Sequence, residues 1–504
     1  MKVIIIGSGL SGLVAGNLLV KKGYDVTIFE SHSAPGGYTA GFRRNGFYFE
    51  SGTLSFEDSA SVNKMMEDLG LFGKLEFVKQ RTRLISEFFD FIPETGTDFK
   101  DTFISAFPQN KNEIDECFKV IGKMVKFLDS FNQPMPALYT GRKEKLQKIK
   151  FIFKKFPLFS FFKKYKNFSV REFASKYFKE DSDLYRIMIE IGYPNMNCFL
   201  YGGIFGSLFS DYWTVKTGMQ SWADLLAENF KKNGGKLNLN SYIETINTKY
   251  GIIKGVTSKS KLNLADFVIS CSDYKKTLLK LLDDRTPLTL REIKALEKAK
   301  VSESFFTVYL GLNMKNEELR SFLKIPHVIL SDIKKEKDFF DASDRDFFKH
   351  ITITLYSPSL INPDLTPEGK SSLMIQAMSP HEWMNNWGGG DRNKYLELKE
   401  IVKKQLIGIA EKLIPDLSGK IIFSDAATPL TYERFTHNTE GASSAWNWDL
   451  NLNYFKNLYD FKITTPVLNL LIGSCWSNPL GGIPGAIAGA YESVKYIEKN
   501  CKKS

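Results

Sequence analysis

Lys2-Val3-Ile4-Ile5-Ile6-Gly7-Ser8-Gly9-Leu10-Ser11-Gly12 decides the fold of this chain. The five residues before Gly7 form an apolar run suited to a strand buried on both faces. A helical pattern follows through Leu13, Val14, Leu18 and Leu19, and then a second apolar run, Asp25-Val26-Thr27-Ile28-Phe29, ends at Glu30. Strand, glycine turn, helix, strand and acid stand in the order that a dinucleotide site requires. Gly7 permits a tight exit from the strand, Gly9 lets the backbone approach a pyrophosphate, and Gly12 lets the helix pack close to the strand. The first helical N–H groups, among them those of Leu10 and Ser11, then face the phosphates together with the positive end of the helix dipole. Glu30 is placed to accept hydrogen bonds from ribose hydroxyls and would repel a ribose phosphate. FAD or NAD is therefore expected, rather than NADP.

The continuation separates FAD from NAD. Gly36-Gly37 follows Glu30 by six residues, and Asn45-Gly46 between Gly41-Phe42-Arg43-Arg44 and Phe47-Tyr48-Phe49-Glu50 is a hairpin pattern. With these residues the chain resembles the two-dinucleotide-binding-domain flavoproteins. Within them it looks most like the bacterial phytoene desaturase, carotenoid isomerase and retinol saturase group. The resemblance implies that the glycine doublet lies along the pyrophosphate and that the hairpin borders the isoalloxazine ring. Tyr38 stands where an Arg often follows the doublet, and Glu50 where the hairpin usually has Asp.

Further segments fit the same resemblance. Gly218-Met219-Gln220-Ser221 precedes a helix over Trp222–Lys232, and Lys236–Ile246 reads as two strands. Residues 252–256 and 265–270 then read as a meander feeding a buried strand. Ile243 matches the position whose backbone contacts the adenine side of FAD. Ala427-Thr428-Pro429-Leu430-Thr431, with Arg434-Phe435-Thr436, resembles a stretch near the flavin edge. The strand Val467–Ile472 leads into Gly473-Ser474-Cys475-Trp476-Ser477-Asn478-Pro479-Leu480-Gly481-Gly482-Ile483-Pro484, and a helix runs to about Glu498. A helix N-terminus there suits the flavin N1–O2 locus. Ser474 occupies a position that is often acidic in related flavoproteins. Cys475 does not match the flavin-linking cysteine of monoamine oxidases, so FAD is expected to be non-covalent. The expected cofactor-binding set is Gly7, Ser8, Gly9, Leu10, Ser11, Gly12, Glu30, Ser31, Gly36, Gly37, Tyr38, Thr53, Leu54, Ile243, Gly473, Ser474, Gly482, Ile483 and Pro484. No second strand–GxGxxG–helix unit occurs, so a separate NAD(P)H domain is not expected.

The implied fold class is α/β: a Rossmann-like FAD-binding domain in an amine-oxidase-like arrangement, with an inserted α+β substrate domain. The first is assigned 1–80, 215–285 and 418–504, and the second 81–214 and 286–417. A helix is read over Ser59–Leu69, closed by Gly70. Strands are read from Leu84 to Phe103, with a helix over Lys111–Leu128. Further strands are read at Ser304–Leu312, His350–Tyr356 and Ser372–Met378, and a helix over Tyr395–Leu413.

A length of 504 residues with 43% apolar composition allows two or three well-filled domains. Of the aromatics, 41 are Phe, and composition alone favours core filler over an aromatic-lined tunnel. Lys and Arg exceed Asp and Glu by 68 to 57, which permits an anionic partner. Five scattered cysteines without CxxC indicate neither a disulfide framework nor a zinc site, and no metal is expected. With a core strand from Lys2 and no apolar run long enough to span a bilayer, the expected setting is a reducing cytoplasm.

Arg142–Phe168 contains ten basic residues, eight aromatics and Glu144 as its one acid. Aromatic rings rimmed by lysine suit a shallow membrane anchor on the inner membrane face, and a solvated surface whose Phe residues fill the core is the alternative. No nucleic-acid motif accompanies the stretch, so nucleic acid is not an expected partner. The scattered histidines point to structural or surface roles, with His32 expected at the surface, and Trp383 and Trp387 are read as core packing with a pocket lining as the alternative. No catalytic acid or base stands out, and the oligomeric state is open. The resemblance implies an FAD-dependent oxidoreductase that desaturates, saturates or isomerises bonds of a long apolar isoprenoid or related lipid by hydride transfer at flavin N5. An amine oxidase on the same fold, or a non-redox FAD-containing lipid-binding protein, are the alternatives.

Overall fold

The computed structural model describes residues 1–128, 133–192, 194–332, 343–458, 460–479 and 481–501. Leu480 of the C-terminal motif lies outside the described residues, as do the side chains of Phe151, Lys154, Lys155 and Pro157.

A five-stranded parallel sheet forms around Lys2–Ile6. Its order is Leu470–Ile472, Phe267–Ser270, Lys2–Ile6, Asp25–Phe29, Lys236–Asn238. Val3, Ile4 and Ile5 are wholly buried because helices cover one face and the meander side covers the other. The helix Leu10–Val20 is buried almost all round, packed against Met219–Lys232 and Gly482–Cys501. The meander is present as Thr245–Lys249, Ile252–Ser258 and Lys261–Leu264. Of the two strands expected over residues 236–246, the first ends at Asn238 and the second begins only at Thr245, as the first strand of the meander. Asn240 takes a positive φ of 49°, and the N–H groups of Asn240 and Ser241 turn to His32 O and Glu30 O. The strand expected from Val467 shortens to Leu470–Ile472, because Asn469 sits at φ 67°.

A seven-stranded mixed sheet is built on Ser304–Leu312. Ser371–Ser379 flanks it on one side and Ile421–Ala427 on the other, so residues 421–427 belong here although the sequence reading began the last FAD-binding segment at 418. Ile353–Tyr356, His327–Leu330, Arg83–Ile85 and Asp90–Phe91 extend it outward. The strand reading of 84–103 is corrected in its second half, where Gly96–Ala106 is a helix. Thr95 and Asp98 close a reciprocal capping box there, and Phe99 and Phe103, one turn apart, share the buried face. Trp383 and Trp387 are buried in this sheet's core and do not line the cavity described below. A third, helical layer spans Gly96–Phe209 and is filled largely by Phe.

The hairpin Gly41–Arg44/Phe47–Glu50 joins the layers. Asn45 and Gly46 take φ of 49° and 85°, the paired left-handed geometry of a two-residue turn. Phe42 and Phe49 meet Tyr309 of the mixed sheet edge-on at 5.1 and 5.5 Å.

Candidate functional site

A cavity of about 580 Å³ opens at the carboxyl ends of the parallel strands, where Ile6, Phe29, Cys271 and Ser474 line it. This is where open α/β sheets hold ligands. Of the sequence-derived set, Gly7, Gly9, Leu10, Ser11, Glu30, Ser31, Gly36, Gly37, Tyr38, Thr53, Leu54, Ile243, Ser474, Gly482 and Ile483 line it. Ser8, Gly12, Gly473 and Pro484 do not.

Their positions have physical reasons. Gly7 leaves the strand at φ 93°. A Cβ on Gly12 would lie 2.1 Å from Gly7 O, so only glycine lets the helix begin so close to the strand. A Cβ on Gly9 would meet only Gly36 O, at 4.0 Å, and no side chain caps the helix that Gly9 begins. Its first turn is thereby left for an anion. Ser8 stands behind the turn and holds Glu30, as backbone and hydroxyl donate to the same carboxylate oxygen at 2.8 Å each. A Cβ on Gly473 would fall 2.3 Å from Ile269 Cγ2, so that glycine serves close packing behind the wall.

Tyr38 bridges distant parts of the chain. Its hydroxyl lies 2.9 Å from both Gly441 O and Ala442 O, and its ring stacks on Tyr432 at 5.9 Å. His32, expected at the surface, is half-buried on the cavity wall. It stacks on His437 at 5.9 Å and contacts Phe435 O. Burial, with His32 beside it, holds the His437 imidazole below its usual range. Phe435 and Thr436 line the same wall.

The cavity continues past the turn to the mixed sheet and the helical layer. Ile191, Ile204, Leu208, Ile329 and Trp448 form an apolar wall there, with Phe305, Thr354 and Gln376 alongside. His327 and Tyr212 also line it, their rings edge-on at 5.5 Å. Burial lowers His327 to about 4 and pushes Tyr212 up to about 12, so both are neutral at physiological pH. Thr82 Oγ1 lies 3.0 Å from His327 Nδ1.

Glu57, passed over in the sequence, also lines this space. One of its carboxyl oxygens lies 3.6 Å from where a Cβ on Gly482 would stand, at the start of the helix Gly482–Cys501. Burial, with Asp211 nearby, raises its carboxyl above the usual range, and its own backbone N–H opposes the shift. The one visible signal was an acidic pair, Glu57-Asp58, directly after an uncharged stretch at 51–56. Tyr212 carried no pattern, because its segment reaches the cavity only through pairing of Phe77–Lys79 with Trp213–Val215.

The site accommodates an FAD on grounds internal to the structure. Gly9 leaves the room a pyrophosphate needs, Glu30 is buried and oriented, and Ser474 Oγ is buried without a hydrogen-bond partner. Cys475 and Cys271 line the cavity, and burial pushes both thiols up to about 12.

A parallel sheet with this glycine turn, closed by a second strand-to-helix junction at 470–482, defines a Rossmann-like flavoprotein. Residues 10–493 match the family of flavin-containing amine oxidoreductases, and the chain belongs to that family. Prolycopene isomerase of Daucus carota is 26% identical over 470 residues, covering 87% of this chain and 71% of the relative. A 4,4'-diapophytoene desaturase (4,4'-diapolycopene-forming) of Methylomonas is 24% identical over 523 residues, covering 99% and 95%. In fold, an oxidoreductase from Methanosarcina mazei superposes with a TM-score of 0.63 at 14% identity, covering 98% of this chain and all of that one. The protein is an FAD-dependent oxidoreductase.

Proposed function

We propose that this enzyme desaturates, saturates or isomerises carbon–carbon bonds in a long apolar isoprenoid of the carotenoid type. The observation that carries this is the continuous cavity, in which a dinucleotide cleft runs directly into the wall of Ile191, Ile204, Leu208, Ile329 and Trp448. A polyene offers no hydrogen bonds, so apolar walls position it and keep water away from the reacting carbons. The names of the isomerase and desaturase relatives support the same substrate class.

Bound in the cleft, the flavin supplies a two-electron redox centre through hydride exchange at N5. The chain's own residues supply the rest. Glu30, held in place by Ser8, would bind the ribose end, and the backbone at Gly9, Leu10 and Ser11 would face the pyrophosphate. The start of the helix at Gly482–Ile483 turns its positive end to the cavity, where it would favour negative charge on a bound flavin. Ser474 Oγ, buried on the cavity wall without a partner, would donate to the cofactor. The high thiol values of Cys475 and Cys271 leave little thiolate for attack, which favours a non-covalent flavin. Glu57, whose carboxyl burial holds above the usual range, lines the same end of the cavity and is placed to exchange a proton with the substrate.

Anaerobic mixing of the yellow protein with detergent-solubilised polyenes or with primary amines, followed by flavin absorbance and product chromatography, tests this. Polyene conversion without response to amines is expected. Bleaching by an amine, with polyenes inert, would overturn the reading in favour of amine oxidation.

A further inference from the structure

The basic, aromatic stretch divides into two physically different halves. Gly141–Lys155 is a helix, Phe156–Leu158 a single turn and Phe159–Tyr165 a second helix. In the second helix Phe161 and Phe162 pack against Phe199 at 5.9 and 5.0 Å, and Tyr165 is buried. Those rings are core filler.

The first half is not. Leu146, Ile149, Phe153 and Phe156 recur at three- and four-residue steps, with Ile152 beside them, so they share one face. In a helix packed on a core such a stripe would be covered. Here Ile152 is 62% exposed, Phe153 and Phe156 are each 73% exposed, and Phe159 at the next bend is 51% exposed. The helix is held from its other side. Glu144, the one acid of the stretch, pairs with Lys148 at 2.6 Å and with Lys495 of the C-terminal helix at 3.2 Å.

Charge identifies the occupant. Arg142, Lys143, Lys145 and Lys150 are exposed along the first helix, and Lys163 and Lys164 on the second. Lys163 Nζ stands 5.1 Å from the Phe159 ring centroid, a cation beside an exposed aromatic. A second copy docking on this face by a twofold axis would bring these cations against themselves. An anionic lipid surface accepts both features at once, with rings in the acyl boundary and ammonium groups at phosphates.

We propose that this face inserts shallowly into an anionic bilayer. Among the described residues no helix is long and apolar enough to cross a membrane, which agrees with attachment to a single leaflet. The placement serves the polyene reading of the cavity, on which its purpose, though not its chemistry, rests. The helix Cys198–Phe209 carries Phe199 in its first turn, against Phe161 and Phe162, and lines the cavity with Ile204, Ser207 and Leu208. The buried side of the helix Phe159–Tyr165 thus rests on a helix that lines the substrate wall.

The test is flotation of the FAD-loaded full chain with vesicles of phosphatidylcholine alone or mixed with phosphatidylglycerol. Binding to the anionic vesicles is expected, weakened by salt. It should fall by about tenfold or more in the triple variant Ile152→Ser, Phe153→Ser, Phe156→Ser. Lys145→Gln with Lys150→Gln should weaken binding to anionic vesicles and leave residual binding to neutral ones unchanged. All variants should keep the flavin spectrum and melting temperature, because the altered side chains are exposed. Failure of the wild-type protein to float, or equal flotation of the triple variant, overturns the proposal. So does concentration-dependent self-association without vesicles that the triple variant loses. Turnover of detergent-solubilised polyene keeps the two readings apart: flotation without turnover sinks only the proposed reaction, and turnover without flotation sinks only the lipid face.

Discussion

Ser8 and Glu30, 22 residues apart, are locked together by two hydrogen bonds of 2.8 Å from one residue's backbone and hydroxyl to one oxygen of the other. The second oxygen of Glu30 accepts from His32 N at 3.0 Å and Ser31 Oγ at 3.1 Å. The carboxylate is therefore fixed before any ribose arrives, which lowers the ordering cost of binding. Glu30→Ala leaves the buried Ser8 N–H without an acceptor and removes the ribose contact. FAD affinity should fall by about tenfold to a hundredfold, measured by fluorescence titration of the deflavinated protein. Retention of wild-type affinity would refute the assigned role.

The two inner glycines of the turn should fail differently. Gly9 sits at φ −64°, a conformation open to alanine, and its Cβ would project toward the cavity. Gly9→Ala should give a folded, cooperatively melting protein that purifies colourless. Gly12→Ala drives a Cβ to 2.1 Å from Gly7 O, a backbone atom that cannot turn away. That variant should lose soluble yield or melt well below the wild type even with added FAD. Identical behaviour of the two would contradict the separate jobs assigned to them.

Where local chemistry dictated geometry, the sequence was legible. Apolar runs around Gly7 and at Phe267–Ser270 could only be buried parallel strands, and Asn45-Gly46 could only be a tight hairpin. Ser59–Leu69 with Gly70 carries its own start and stop, since Asp58 caps one end and Gly70 at φ 73° closes the other. Reading failed where long-range contact overrode pattern. The alternation after Glu94 looked like strand, yet a capping box and the Phe99–Phe103 pair made it helix. His32 read as exposed because nothing nearby shows that residues 435–437 will fold over it. Glu57 and Tyr212 became neighbours of the cavity through pairings of Trp213 with Phe56 and with Lys79, each more than a hundred residues away in the chain.

Glu50 predicts the pH dependence of stability. It is fully buried, accepts Tyr48 OH at 2.7 Å and Met219 N at 3.1 Å, and burial still raises it from 4.5 to about 8. The folded state therefore binds this proton more tightly than the unfolded state across that interval. Its contribution is fully present below about pH 4.5 and is lost as pH rises toward 8. Asp58, raised by burial to about 8, acts in the same direction. Glu50→Gln should flatten the decline of melting temperature across this window while keeping an acceptor for Met219 N–H. An unchanged slope would show that Glu50 ionises normally in the folded protein.

Glu57 provides the sharpest test of the chemistry. Its carboxyl lines the cavity beside the helix start at Gly482, in a space shared with Ser55, Tyr212 and His327, of which the latter two stay neutral at physiological pH. Burial favours its protonated form, so at a given pH it holds a proton more often than an exposed glutamate would. A group of this kind can give a proton to carbon or take one, according to the direction of the reaction. Glu57→Gln keeps the shape and removes the proton exchange. Polyene turnover should fall by about a hundredfold or more, with FAD affinity and oxidised flavin spectrum unchanged. The limb of the wild-type pH–rate profile due to this group should vanish in the residual activity. Because ionising the buried carboxyl costs stability as pH rises, the variant should also melt no lower than the wild type at alkaline pH. Wild-type turnover across the pH range would remove Glu57 from the mechanism, and a loss of flavin binding would reassign it to holding the cofactor.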